Sequence, residues 1–229
     1  MSAYKVVITD FADPDCSLEA EQFRAAGLDV ELVFPNTRQA DQLLPHIVDA
    51  DALIVQWANI DRSLIEAMQR CRVLSRYGIG VDMVDLVAAS ERGIIVANVP
   101  DFCIEEVSTH TIAFLLMLNR HIPLHSRHVR VGRWGSPPGG PPARLAGQWL
   151  GIVGLGNIGR AVARKAGALG LRLLGYDPYV APETADALWV TLTSLDDLLA
   201  RSDYVTLHCP LNDETRGLIG ADQLARMKP

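Results

Sequence analysis

Apolar residues in the first hundred positions come in short bursts separated by longer mixed stretches. Residues 6–9, 30–34, 53–55, 73–75 and 94–97 are bursts of the length of buried strands. Between them, residues 18–26, 40–48, 63–69 and 84–91 carry apolar positions at helical spacing. Gly27 and Gly93 fall where a helix-ending glycine belongs, and Asp61 stands as an N-cap before Ser63-Leu-Ile-Glu-Ala-Met. Strict alternation of strand and helix predicts an α/β fold with a parallel, doubly wound sheet.

The pattern then changes. Residues 105–120 are apolar nearly all round, which predicts a long helix buried between domains or subunits. Residues 125–133 are locally basic and read as a solvated helix face. Residues 135–142, rich in Gly and Pro, are the clearest loop. After it the strand–helix alternation resumes. Residues 149–153 and 171–176 are apolar runs, with Ile158, Val162, Ala166 and Leu169 at helical spacing between them. Further strands are expected at 188–191 and 204–207, and helices at 194–200 and 221–227.

The turn between the first of these strands and its helix carries the chemistry. It reads Gly154, Leu155, Gly156, Asn157, Ile158, Gly159. In a dinucleotide site the first glycine permits the tight turn, the second lets the backbone approach a pyrophosphate, and the third lets helix and strand pack closely. The N–H groups and positive dipole end of the helix face the phosphates. Asp177 ends the next strand, where a carboxylate accepts both ribose hydroxyls and repels a 2′-phosphate, so NAD is the expected cofactor rather than NADP. The plainer alternative makes Asp177-Pro178 an ordinary turn opener.

Composition narrows the picture. Nearly half of the 229 residues are apolar (49%), so the chain is globular. A net charge of −6 argues against nucleic-acid binding. The four cysteines (Cys16, Cys71, Cys103, Cys209) form no C-x-x-C pair, which fits reduced thiols in the cytoplasm and no metal site. The longest helical uncharged run, 107–119, is shorter than the roughly 20 apolar residues a bilayer span needs, and no secretory pattern opens the chain.

Several segments together resemble the D-isomer-specific 2-hydroxyacid dehydrogenases, and within them the C-terminal-binding-protein-like subgroup. They are Arg76-Tyr-Gly-Ile-Gly-Val-Asp82-Met-Val-Asp85, Gly93-Ile-Ile-Val-Ala-Asn98-Val-Pro100, Glu105-Glu-Val-Ser, the glycine turn with Asp177-Pro178, and Ser202-Asp-Tyr-Val-Thr-Leu-His208-Cys-Pro-Leu211-Asn-Asp-Glu-Thr215. The resemblance implies a flavodoxin-like substrate domain over residues 1–100. It also implies a hinge helix and an incomplete Rossmann NAD-binding domain over 101–229, with a homodimer formed through the hinge helix. It maps substrate-carboxylate binding onto Arg76, Gly78, Ile79 and Gly80, where a turn with two glycines can present N–H donors to an anion; a simple β–α turn is the alternative. It brings Cys103 toward the cofactor, although a buried thiol filling the core is equally open. It puts His208, Cys209, Pro210 and Thr215 on a loop passing over NAD.

The resemblance further implies a catalytic Arg, Glu and His beyond Met227-Lys228-Pro229. No catalytic residue is therefore expected within the chain, which reads as a truncated sequence with an apolar sheet edge uncovered. The expected activity is NAD-dependent oxidation of a small 2-hydroxy acid, or reduction of its 2-keto acid. The alternative is an NAD(H)-sensing dimeric binding module without turnover.

Overall fold

The computed structural model describes residues 3–13, 15–135 and 141–229, so most of the loop expected over 135–142 lies outside the described residues. The chain separates into two compact units between Phe102 and Cys103.

Unit one alternates without exception: β1 (Tyr4–Ile8), α1 (Ser17–Ala25), β2 (Val30–Val33), α2 (Ala40–Ile47), β3 (Ala52–Val55), α3 (Arg62–Ala67), β4 (Val73–Arg76), α4 (Leu86–Glu91) and β5 (Ile95–Ala97). All strand pairs are parallel, in the order β2-β1-β3-β4-β5. This is the flavodoxin-like order, with its switch point between β1 and β3. The core joins Val7, Leu53, Val55 and Leu74 of the strands to Leu43 and Ile47 of α2, Ile65 of α3 and Ala88 of α4. Asp61 caps α3 by accepting the Leu64 N–H at 3.1 Å. Asp85 does the same for α4 through the Ala88 N–H at 2.8 Å.

Unit two opens with α5 (Ile104–Asn119) and α6 (Ile122–Arg130). It continues with β6 (Trp149–Val153), α7 (Asn157–Ala168), β7 (Arg172–Tyr176), α8 (Pro182–Asp186), β8 (Val190–Leu192), α9 (Leu195–Arg201), β9 (Tyr204–Leu207) and α10 (Ala221–Arg226). The strands are again parallel, in the order β8-β7-β6-β9, so β8 and β9 are edges. Neighbours on β7 point to opposite faces. Leu173 joins Leu150, Ile152, Val162 and Ala166, while Leu174 joins Val153, Leu198 and Leu199. Both faces are therefore apolar, which is why these strands read as unbroken hydrophobic runs.

Most of the basic stretch 125–133 lies in α6, which ends at Arg130, and α8 is a short helix without a distinct apolar pattern. The strand expected from 188 starts two residues later because Trp189 takes a left-handed φ of +56°. α5 packs Leu115 against Val162 and Ala166 of α7, and one cation ties their ends: Lys165 Nζ donates to Glu105 Oε1, Ser108 Oγ and Thr109 Oγ1, each at 2.7 Å. Elsewhere on α5, Phe114 (53%) and Leu118 (65%) are exposed. Among the described residues no helix is long and apolar enough to cross a membrane, and no group of three or more His, Cys, Asp or Glu is placed to hold a metal ion.

Candidate functional site

In unit two the chain leaves β6 at Val153 and must reverse toward α7 between the ends of β7 and β9. Gly154 makes that reversal with φ +90°, and its N–H donates to Tyr176 O at 2.9 Å. A Cβ there would stand 2.6 Å from Cys209 N, so the position excludes any side chain for two separate reasons. A Cβ on Gly159 would overlap Gly154 O, which makes Gly159 the close-packing residue of the turn. Gly156 is different: nothing lies within 4 Å of the place its Cβ would take. That open space sits at the start of α7, where Gly156 is the N-cap and supplies no side-chain cap. The first-turn N–H groups of α7 are left for an external acceptor, as an anion site requires.

Asp177 is bound into this turn. Its Oδ2 accepts the Leu155 N–H at 2.7 Å and its Oδ1 accepts the Tyr179 N–H at 2.9 Å. Two backbone donors hold the carboxylate in one orientation and leave lone pairs for hydroxyl donors. The Leu155 side chain is 2% exposed and packs in the core, so this residue serves the site through its amide alone. Ile158 packs half-buried against the same core, and Asn157 Oδ1 accepts from Arg160 at 2.7 Å.

These elements enclose a cavity of about 240 Å³ beyond the carboxyl ends of β6, β7 and β9, the expected place for a ligand in such a sheet. Of the residues singled out from the sequence, Gly154, Gly156, Asp177, His208, Cys209, Pro210 and Thr215 line it together. His208 Nε2 pairs with Thr206 Oγ1 at 2.9 Å, and burial pushes the imidazole below the ordinary histidine range, disfavouring its charged form. The Thr215 hydroxyl donates to Pro210 O at 2.5 Å and receives the Asn212 N–H at 3.0 Å, so it braces its own loop. Tyr176, Pro178, Tyr179, Asn212, Glu214 and Leu218 also line the cavity; Pro178, Asn212 and Glu214 lie in the segments that carry the resemblance but were not singled out as site residues. Cys103 does not line it; this residue starts α5 with φ +55° and accepts the Val107 N–H at 2.9 Å.

The anion-binding turn expected in unit one comes after β4. Gly78 has φ +134°, and a Cβ there would overlap the Arg76 guanidinium. The Gly78 N–H donates to Arg76 O at 2.9 Å, closing a three-residue turn. That amide is committed and drops out of the expected donor set. Val99 N donates to Gly78 O at 3.0 Å, and Asn98 Nδ2 to Ile79 O at 2.8 Å, so the turn is held from its carbonyl side. Among the described residues the N–H groups of Ile79 and Gly80 have no acceptor, and Arg76 Nε is buried without a partner. Tyr77, between them, donates to Glu19 at 2.6 Å; burial and that carboxylate push its phenol above the ordinary tyrosine range.

Comparison with known proteins gives a consistent answer. Residues 112–229 match the family described as "D-isomer specific 2-hydroxyacid dehydrogenase, NAD binding domain". The D-3-phosphoglycerate dehydrogenase of Mycobacterium tuberculosis is 39% identical over 208 residues, which cover 90% of this chain and 39% of that protein. The enzyme of the same name from Methanocaldococcus jannaschii is 36% identical over 226 residues, covering 98% of this chain and 42% of the relative. This chain thus spans about two fifths of the length of the curated relatives it matches. Among solved structures, the D-lactate dehydrogenase of Aquifex aeolicus complexed with NAD and lactic acid superposes with a TM-score of 0.87 at 25% identity, over 97% of this chain and 66% of that one.

Proposed function

We propose a function from one premise: this chain belongs to the D-isomer-specific 2-hydroxyacid dehydrogenase family, whose matched domain binds NAD. The whole protein is an NAD-dependent oxidoreductase acting on the CH–OH group of a small 2-hydroxy acid, and on the 2-keto acid in reverse. The observation that carries this reading is the open, uncapped start of α7 beside a carboxylate already held by the turn's own amide. The cavity fits a dinucleotide in its donor set. First-turn N–H groups of α7 take the diphosphate, and Asp177 accepts the adenosine ribose hydroxyls. When bound, the nicotinamide exchanges hydride with C2 of the acid. The Ile79 and Gly80 N–H groups, with the Arg76 charge beside them, hold the substrate carboxylate.

The names of the curated relatives bring 3-phosphoglycerate to the head of the substrate panel, and the solved neighbour adds lactate. Glyoxylate, hydroxypyruvate and bulkier keto acids complete it. Titrating the chain with NADH, read by tryptophan fluorescence, tests the cofactor half of the reading. Assaying the whole protein on the panel by NADH oxidation tests the chemistry. Tight NADH binding with no turnover on any keto acid would overturn the oxidoreductase assignment.

That outcome would favour a second reading, an NAD(H)-responsive dimeric module akin to the C-terminal-binding-protein-like subgroup. Its support is the exposure of Phe114 and Leu118 on α5, an apolar surface suited to a second copy of the chain. An NADH-dependent shift in sedimentation would mark it. The cytoplasm is the compartment proposed, from scattered cysteines without a paired motif.

A further inference from the structure

Two loops face each other across the adenosine end of the cavity. The loop after β7 brings Asp177, Pro178 and Tyr179; the loop after β9 brings Asn212, Glu214 and Thr215. One side-chain bond joins them: Tyr179 Oη donates to Glu214 Oε2 at 2.6 Å. Each end of this bond is anchored. The Tyr179 N–H is bonded to Asp177 Oδ1, and the Glu214 N–H donates to Asn212 Oδ1 at 3.1 Å. The bond places the exposed Glu214 carboxylate beside the cavity.

The charge around the cavity is one-sided. Asp177 and Glu214 line it, and among the described residues no Lys or Arg does. His208 also lines it, and burial disfavours its charged form. Arg216, two residues beyond Glu214, is exposed and does not line the cavity. A cofactor with a free ribose hydroxyl brings no extra charge to this end, whereas a 2′-phosphate brings close to two negative charges.

We propose that Glu214, held by Tyr179, is a second specificity-determining carboxylate of the adenosine pocket and acts with Asp177 to exclude a dinucleotide carrying a 2′-phosphate. The proposal rests on the dinucleotide reading of the cavity. The two acids divide the work. Asp177 both accepts hydroxyls and repels phosphate. Glu214, one of whose oxygens is tied to Tyr179, contributes chiefly repulsion.

The test is the dissociation constants of NADH and NADPH for the 229-residue chain, read by the rise in nicotinamide fluorescence, in wild type, E214Q, E214A, Y179F and D177A. E214Q and E214A are expected to tighten NADPH about three- to tenfold and to leave NADH within about twofold, the size of one screened charge contact. The gain is expected to shrink in about 1 M salt. Y179F moves the ratio the same way by less, since it frees the carboxylate without removing its charge. D177A weakens NADH as well. An NADPH-to-NADH ratio unchanged in E214Q and E214A, while D177A shifts it, would overturn the proposal; so would a gain insensitive to salt. A wild-type chain that binds neither nucleotide would overturn the dinucleotide reading itself.

Discussion

Two glycine-containing turns come after parallel strands in this molecule, one in each unit, and they do different things with the same raw material. After β4, the Gly78 amide is consumed by Arg76 O and the guanidinium fills the space above the glycine. After β6, the space above Gly156 is empty and a twelve-residue helix begins without a cap. Gly-x-Gly spacing predicts a reversal in both. The element that the reversal leads into decides its chemistry. A helix starting at once gives a row of unspent N–H groups, whereas a closed three-residue turn spends one of them internally.

Substitutions at the two turns should widen the contrast. Gly154→Ala is the most damaging. It combines a left-handed φ with a Cβ 2.6 Å from main chain that cannot move aside. A loss of about 2–4 kcal/mol in unit two is expected, with cofactor binding abolished, measured by thermal unfolding and NADH titration. Asp177→Ala comes next. It removes the acceptor of two backbone amides and, in the proposed reading, of the ribose, and should weaken NADH by about ten- to a hundredfold. A twofold change or less would show that the amides, not the acid, carry the sugar end.

Gly78→Ala should be milder, about 1–3 kcal/mol: it carries backbone strain at φ +134°, but the atom in its way is the end of a flexible arginine that can swing out rather than main chain. If it equalled Gly154→Ala, the turns would be alike after all. The smallest effect is one of pH. Burial depresses the His208 pKa in the folded chain, so the unfolded chain binds the proton more readily. The stability of unit two is full above the ordinary histidine pKa and falls as pH drops toward the depressed value. His208→Gln should flatten that slope in thermal melts between about pH 7.5 and 5.

Strand and helix periodicity made the fold legible. The short apolar bursts became parallel strands, and Asp61 became the N-cap the sequence suggested. The site was legible where main-chain geometry demands a residue type. Gly154, Gly156, Gly159 and Asp177 are such positions, because a turn, an open approach and a strand-end acceptor each admit few alternatives. Tyr179 and Glu214 were not legible. They meet across 35 residues through loops with no period, and nothing in local spacing announces a bond between them. Nor did the sequence reveal that Thr215 braces a loop or that the Gly78 amide is already taken, since both depend on loop closure.

The bond from the Leu155 amide to Asp177 has a consequence for redesign. Recoding the coenzyme preference of this chain cannot be a matter of deleting an acid and adding a base. The replacement must also give the orphaned Leu155 amide a new acceptor, or the turn after β6 loosens together with the loop after β7. Asn or Ser at position 177 meets that condition and Ala does not, so successful switches should begin from the polar pair.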